Sequence, residues 1–175
     1  MRPYYFEIID RRKKILQKII FEDEYDYQQF IDILRYYKDE EKCSFKLYSY
    51  CLMDNHVHLL IEHTNVSLDE IMKRIEIKFV KWYNKRYRRI GHLFQERYKS
   101  EPVEDIEYLK IVFRYIHQNP LHAGIEKVPG VYPWSSYHDY ANQDDSFIDI
   151  ERIFDLFQNY QECMTSIFWY IWNIR

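Results

Sequence analysis

Residues 45–61 read Phe-Lys-Leu-Tyr-Ser-Tyr-Cys-Leu-Met-Asp-Asn-His-Val-His-Leu-Leu-Ile. Two runs rich in aromatic and β-branched residues, 45–53 and 57–61, flank Asp54-Asn55, a pair that favours turns. The stretch therefore predicts an antiparallel hairpin with residues 56–61 on its second strand. Because side chains alternate faces along a strand, His56 and His58 are expected to point the same way.

Upstream of the hairpin, the sequence predicts one strand and one helix. Residues 4–9 are β-rich and form the predicted strand. Asp23 or Asp26 can cap a helix that runs to about Asp39, since apolar residues recur there at helical spacing.

Downstream, the helical signals are stronger. Ser67-x-x-Glu70 is a capping box, and the apolar stripe after it predicts a helix from about 68 to 89, which Gly91 lets the chain leave.

Two more helices are expected towards the C-terminus. One begins near Ile106 and should stop near Asn119, because Pro120 disfavours helical dihedral angles in the residue before it. A short helix is expected at 150–157. This order of elements predicts an α+β fold, for which we favour a ferredoxin-like antiparallel sheet with helices packed on one face.

Length and composition exclude several classes of protein. The chain has 175 residues, enough for one domain, and its three glycines build neither a dinucleotide fingerprint nor a P-loop. Three cysteines without a C-x-x-C pair indicate a reducing compartment, so we expect a cytoplasmic protein. The longest apolar run is too short to span a bilayer, so no membrane association is expected.

Four residues could carry chemistry. Two histidines on one face of a strand are half of a metal site, since imidazole binds several divalent ions. Tyr115 and Asn119 are four residues apart and share one face of the predicted helix. An amide oxygen from Asn119 could complete the metal site, and a nearby cation would favour the phenolate of Tyr115 as a nucleophile. Packing roles for all four residues stay open at this point.

Charge is unevenly distributed along the chain. Residues 73–99 contain ten Lys and Arg against Glu76 and Glu96, a local charge of +8, which leaves −11 for the rest of a chain whose net charge is −3. Aromatic residues are interleaved with these cations, a combination typical of single-stranded nucleic-acid binding. The candidate DNA-binding residues are Arg74, Lys78, Lys81, Lys85, Arg88, Arg89, Arg97 and Lys99.

Four segments resemble motifs of one known family. Residues 51–62, 91–100, 114–124 and 132–137 resemble, in order and spacing, the single-tyrosine HUH transposases, specifically the REP-associated tyrosine transposase group. The resemblance covers roughly residues 15 to 140. We therefore expect a transposase/nuclease domain at 1–140 and a C-terminal helical extension of the same domain at 141–175.

The resemblance implies an activity and a role for each candidate residue. It implies cleavage and rejoining of single-stranded DNA through a 5′-phosphotyrosine on Tyr115, with Mg²⁺ or Mn²⁺ held by His56, His58 and Asn119. The DNA partner would be a hairpin-forming single strand. Some relatives are dimers in which the partner subunit supplies the tyrosine, and others are monomers that supply it in cis. A homodimer is therefore one possible state of this protein.

Three alternatives remain at this level. The same chemistry serves plasmid-type nickases and replication initiators. A ferredoxin-like nucleic-acid-binding module would use the histidines only for structure. A metallohydrolase would add a carboxylate such as Glu62, which shares the strand face of the histidines by parity.

Overall fold

The computed structural model describes residues 19–40, 43–94, 98–128 and 130–168, together with the backbone of residues 4–9. Its elements in chain order are β1 (Tyr4–Ile9), α1 (Glu24–Lys38), β2 (Phe45–Met53), β3 (His56–His63), α2 (Leu68–Arg86), β4 (Lys99–Pro102), α3 (Ile106–His122), α4 (Tyr137–Asn142), α5 (Ile150–Leu156) and α6 (Tyr160–Phe168).

Four strands form one antiparallel sheet in the order β2-β3-β1-β4. The hairpin of β2 and β3 is confirmed, and Met53 pairs with His56 across its two-residue turn. The chain order β1-α1-β2-β3-α2-β4 combined with this strand order is the ferredoxin-like arrangement. The predicted fold class is therefore confirmed.

Helices cover both faces of the sheet. Leu59 and His58 point to opposite faces of β3, and both are fully buried. α1 and α2 pack together behind Leu59, with the rings of Phe30 and Phe79 5.1 Å apart. α3 contacts β2 and β3 on the face of His58. Helices therefore lie on both faces of the sheet, with α3 on the face of His58, whereas the sequence prediction placed them on one face.

The outer edge of β2 is paired by an irregular segment. The amide of Leu52 donates to the carbonyl of Trp134 (2.8 Å), and the amide of Ser136 donates to the carbonyl of Tyr50 (3.0 Å). An edge strand exposes unpaired backbone groups, and these two bonds satisfy part of that edge. They also fix residues 134–136 next to the strand that leads into the histidine hairpin.

The N-caps of α1 and α2 lie at predicted positions, but the predicted capping box of α2 is not completed. Asp23 caps α1, whereas Asp26 is buried and pairs with Arg86 of α2. The Ser67 side chain caps α2 by accepting from the amide of Glu70, but the Glu70 carboxylate accepts from Arg74 instead of completing a capping box. Both caps lie where the sequence placed them.

Two predicted helix ends are wrong. α2 ends at Arg86 rather than near 89, and Arg88, three residues before Gly91, already takes a left-handed conformation (φ 51°). α3 runs past Pro120 to His122. Proline lacks only one amide donor, and Pro120 lies in a buried last turn, so packing outweighs the local preference.

Several elements and the domain division differ in how far the sequence indicates them. β4 and α4 were not anticipated, the helix expected at 150–157 is α5, and α6 lies in the segment that was expected to be helical without stated bounds. The division into 1–140 and 141–175 stays a prediction. None of the helices in the described ranges combines the length and the apolar character that a membrane span requires.

Candidate active site

The two histidines of β3 lie together on the face covered by α3. Their ring centroids are 4.7 Å apart and their planes are nearly perpendicular, at 88°. Burial lowers the pKa of His56, and burial together with the neighbouring His56 lowers the pKa of His58 to about 3, against a hydrogen bond with Asn119 that raises it. Both imidazoles are therefore neutral near pH 7, which is the form that ligates metals.

α3 brings the tyrosine and the asparagine to the same place. The ring of Tyr115 meets the imidazole of His58 edge to face, with centroids 5.7 Å apart at 85°. Asn119, one turn further along the helix, is hydrogen-bonded to His58, and its Nδ2 donates to the carbonyl oxygen of Tyr115 (3.0 Å). His122 stacks on Tyr115 at 6.2 Å. One chain thus brings together all four residues singled out from the sequence.

Tyr115 and Asn119 differ in exposure in a way that suits different tasks. The side of α3 towards the sheet buries Asn119, which is 6% exposed, whereas Tyr115 is 41% exposed. A nucleophile must reach a substrate from solvent, while a ligand or positioning group is best held rigidly. The exposed phenol therefore lies at the rim of the site and the amide lies at its floor.

A buried histidine that the sequence did not single out anchors α3. His117 Nδ1 donates to the carbonyl of Phe113 (2.8 Å), and its Nε2 accepts from the hydroxyl of Ser136 (2.8 Å). Ser136 Oγ in turn accepts from the amide of Tyr50 on β2 (3.0 Å). Burial lowers the pKa of His117 to about 4, so it stays neutral in this network. The network fixes α3, two residues from Tyr115, to the sheet.

The turn that precedes His56 is also braced from outside the hairpin. The Tyr27 hydroxyl donates to Asp54 Oδ1 (3.0 Å), and the amide of Ile20 donates to the Asp54 carbonyl (2.7 Å). The Tyr27 ring is stacked between Phe21 (4.4 Å) and Trp134 (4.7 Å). None of these contacts follows from a local motif, because they join residues distant in sequence.

Glu62, the carboxylate of the metallohydrolase alternative, lies away from the histidines. It accepts a hydrogen bond from Tyr48 and pairs with Arg152 (3.5 Å). Four residues along a strand separate it from His58 by about 13 Å. Among the residues that the structure describes, no group of three or more His, Cys, Asp or Glu side chains could hold a metal. A metal at this site would depend on His56, His58 and the amide of Asn119.

The predicted DNA-binding residues fall into three groups. Arg74 pairs with Glu70 (2.8 Å), Lys78 lies over the ring of Tyr36 (3.2 Å), and Arg89 lies over Tyr83 (5.5 Å), so these cations have partners within the protein. Exposed cations on or just after α2, behind the sheet relative to the histidines, are Lys81, Lys85 and Arg88.

Lys99 lies at the start of β4. It pairs with Glu7 of β1, which pairs with His58, so the three occupy one cross-strand row. Residues of one row share a face, which places Lys99 on the histidine face about 10 Å from His58. Arg97, the remaining predicted contact, lies outside the described residues.

A ferredoxin-like sheet with paired histidines beside a tyrosine of one helix has the architecture of the single-tyrosine HUH class that the sequence resembles. The family model described as "Transposase IS200 like" matches residues 8–119, which is more than half of the chain. The chain therefore belongs to the IS200-like transposase family, whose members are DNA transposases.

The fold is also similar to that of a solved relative. The structure of a REP-associated tyrosine transposase bound to a REP hairpin superposes with a TM-score of 0.65, at 14% sequence identity, covering 81% of this chain and 80% of that chain. At this identity the similarity establishes the fold alone. The sequence resemblance is thus confirmed by the family match and by the fold. No protein with a curated description matches the sequence.

Proposed function

We propose that this transposase cleaves and rejoins single-stranded DNA with Tyr115 as its nucleophile. The observation that carries the proposal is the contact of the Tyr115 ring with His58 inside one chain, beside a buried Asn119. An attacking phenol needs a nearby group that orients the phosphate and offsets the charge that develops on it. A divalent metal ion is such a group, and His58 and Asn119 could serve as ligands for it.

The proposed reaction exchanges one phosphoester for another. The phenolic oxygen of Tyr115 attacks the scissile phosphorus, a tyrosine–phosphate bond forms, and the bond to the 3′ oxygen breaks. The 3′ oxygen leaves with a proton, so the phenol's proton is accounted for. Because the protein–DNA ester retains the energy of the broken bond, a second 3′ hydroxyl can reverse the attack without an external energy source.

We propose that His56, His58 and Asn119 hold a divalent ion, Mg²⁺ or Mn²⁺. Two neutral imidazoles at alternate positions of one strand, and the side-chain amide of Asn119 next to His58, are a donor set that fits such an ion. The ion would polarise the scissile phosphate and stabilise the charge that develops on it. Membership in the family supports the use of a divalent metal ion. Activity measured with Mg²⁺ and with Mn²⁺ would distinguish the two ions.

The DNA partner is proposed to be a hairpin-forming single strand. The solved relative with this fold is bound to a REP hairpin. Exposed cations that could contact phosphates lie behind the sheet (Lys81, Lys85 and Arg88) and on the histidine face (Lys99). Arg74, Lys78 and Arg89 would contribute only by leaving their present partners.

An adduct assay tests the proposal. A hairpin-bearing oligonucleotide is incubated with the protein and Mn²⁺, and a covalent protein–DNA species is sought under denaturing conditions. We expect an adduct with the native protein and with Tyr108→Phe, a matched tyrosine of the same helix, and none with Tyr115→Phe. Binding without an adduct under either metal ion would favour a nucleic-acid-binding module. Cleavage that survives Tyr115→Phe would favour water as the nucleophile.

A further inference from the structure

The acceptor for the Nδ1 atom of His56 is its sequence neighbour. His56 Nδ1 lies 2.6 Å from Oδ1 of Asn55. An amide oxygen only accepts hydrogen bonds, so Nδ1 must carry the proton and Nε2 must carry the lone pair. The other nearby oxygen group, the carboxylate of Asp54, already accepts from the hydroxyl of Tyr27 (3.0 Å).

We propose that Asn55 is a positioning residue that fixes His56 as the Nδ1–H tautomer and directs Nε2 to the metal. This inference rests on the proposed function, since it gives His56 the role of ligand. Ligating histidines commonly donate their second ring N–H to an oxygen, which fixes both the tautomer and the ring orientation. In this chain the donor and the acceptor are consecutive residues at the start of β3.

The conformation of the turn does not by itself require asparagine. Neither Asp54 nor Asn55 has a positive φ, so Asn55 does not serve to supply a left-handed conformation. Two-residue hairpins usually use turns that do need positive φ, and this one deviates from that preference. Contacts from outside the hairpin hold it, since Ile20 and Phe21 donate their amides to the Asp54 carbonyl (2.7 and 3.2 Å).

The brace on Asp54 gives the Asn55 amide a fixed place. Tyr27 is held by ring stacking on both sides and holds the Asp54 carboxylate. These contacts fix Asp54 and so restrict the backbone position of Asn55, which follows it. The Asn55 side chain then spans the distance to His56 with few rotatable bonds. A ligand supported in this way loses little conformational freedom when metal binds.

Two substitutions separate orientation from turn formation. Asn55→Gly keeps a residue that turns accept readily but removes the acceptor oxygen. Asn55→Asp keeps a side-chain acceptor at the same position. The tautomer is read in the metal-free, ¹⁵N-labelled full-length protein at pH 7.5 from long-range ¹H–¹⁵N correlations of the His56 imidazole.

We expect the native protein and Asn55→Asp to show the Nδ1–H tautomer, and Asn55→Gly to lose it. Mn²⁺ titrations should then show about a tenfold or greater loss of affinity for Asn55→Gly, the range typical of lost supporting contacts to ligands, and a smaller change for Asn55→Asp. A native Nε2–H tautomer, or an Asn55→Gly protein that keeps both the tautomer and the affinity, would overturn the proposal.

The metal role of His56 is tested separately by His56→Ala. If His56→Ala binds Mn²⁺ as well as the native protein does, the proposed function fails at this residue and the metal part of the inference fails with it. The tautomer is measured without metal, so it tests the contact of Asn55 with His56 by itself. The Mn²⁺ affinity of His56→Ala tests separately whether His56 is a ligand.

Discussion

The imidazole of His58 and the phenol ring of Tyr115 lie edge to face, 5.7 Å apart, although one belongs to β3 and the other to α3. α3 is held at that distance by Asn119, which bonds His58, and by His117, which bonds Ser136 beside β2. The geometry of the site is thus a product of the packing of α3 on the sheet. His56, His58, Tyr115 and Asn119 lie together within this one chain.

The contact predicts a tyrosine that acts in cis. Tyr115→Phe and His56→Ala proteins, each inactive alone, should form no adduct when they are co-expressed and purified together. In a dimer that exchanged its tyrosines, one hybrid site would combine the intact histidines of one chain with the intact tyrosine of the other. Recovery of adduct in the mixture would therefore contradict the cis assignment.

Glu62 is predicted to be dispensable for the chemistry. Its carboxylate accepts from Tyr48 and pairs with Arg152, at the other end of β3 from His56. We expect Glu62→Gln to lower the free energy of unfolding by about 1–3 kcal/mol, because a buried charged hydrogen bond is weakened, and to leave adduct formation intact. Denaturant unfolding and the adduct assay measure the two effects. Loss of adduct in a folded Glu62→Gln protein would favour the metallohydrolase alternative.

Exposed and internally paired cations should differ in their effect on DNA binding. Lys81→Gln and Lys85→Gln should each weaken single-strand binding and reduce the slope of log affinity against log salt by about 0.7, the value for one lost phosphate contact. Lys46→Gln is the matched control, because it removes the same charge from a lysine that is also exposed but pairs with Asp149 at the edge of β2 (3.0 Å). An equal reduction of the slope in Lys46→Gln would show that only net charge matters.

Asp139 should make the protein less stable as pH rises. Burial raises the pKa of its carboxyl to about 6, although Tyr50 and Arg35 oppose the shift. A pKa that is higher in the folded state than in the unfolded state favours folding below about pH 4, and this contribution is lost as pH rises through 6. Relative to native protein, Asp139→Asn should gain stability on the order of 1–3 kcal/mol between pH 4 and 7, after allowance for partial exposure. Denaturant unfolding at both pH values measures the difference, and parallel pH curves would contradict the assignment.

Local signals made much of the fold predictable. The capping position of Ser67 and the apolar stripe after it identified α2, and the turn pair Asp54-Asn55 identified the hairpin. β4 was not predictable, because its four residues are all exposed and end in Pro102, which gives no strand pattern. It forms because β1 offers an edge for pairing.

The site was predictable where it depends on spacing within one element. The i, i+4 relation of Tyr115 and Asn119 and the alternation of His56 and His58 need only helix and strand geometry. The contacts of His117 with Ser136 and of Tyr27 with Asp54 join segments that are distant in sequence, so no local sequence pattern predicts them. The alternation of side chains along β3 likewise could not show that Glu62 interacts with Tyr48 and Arg152.

The identity of the residue joined to DNA distinguishes a tyrosine nucleophile from every alternative. The native protein is allowed to react with a hairpin-bearing single strand and Mn²⁺, the adduct is digested with a protease and a nuclease, and the modified peptide is sequenced by mass spectrometry. The proposed function predicts a 5′-linked nucleotide on Tyr115. A nucleotide on another residue, or free cleaved DNA with no modified peptide, would contradict it.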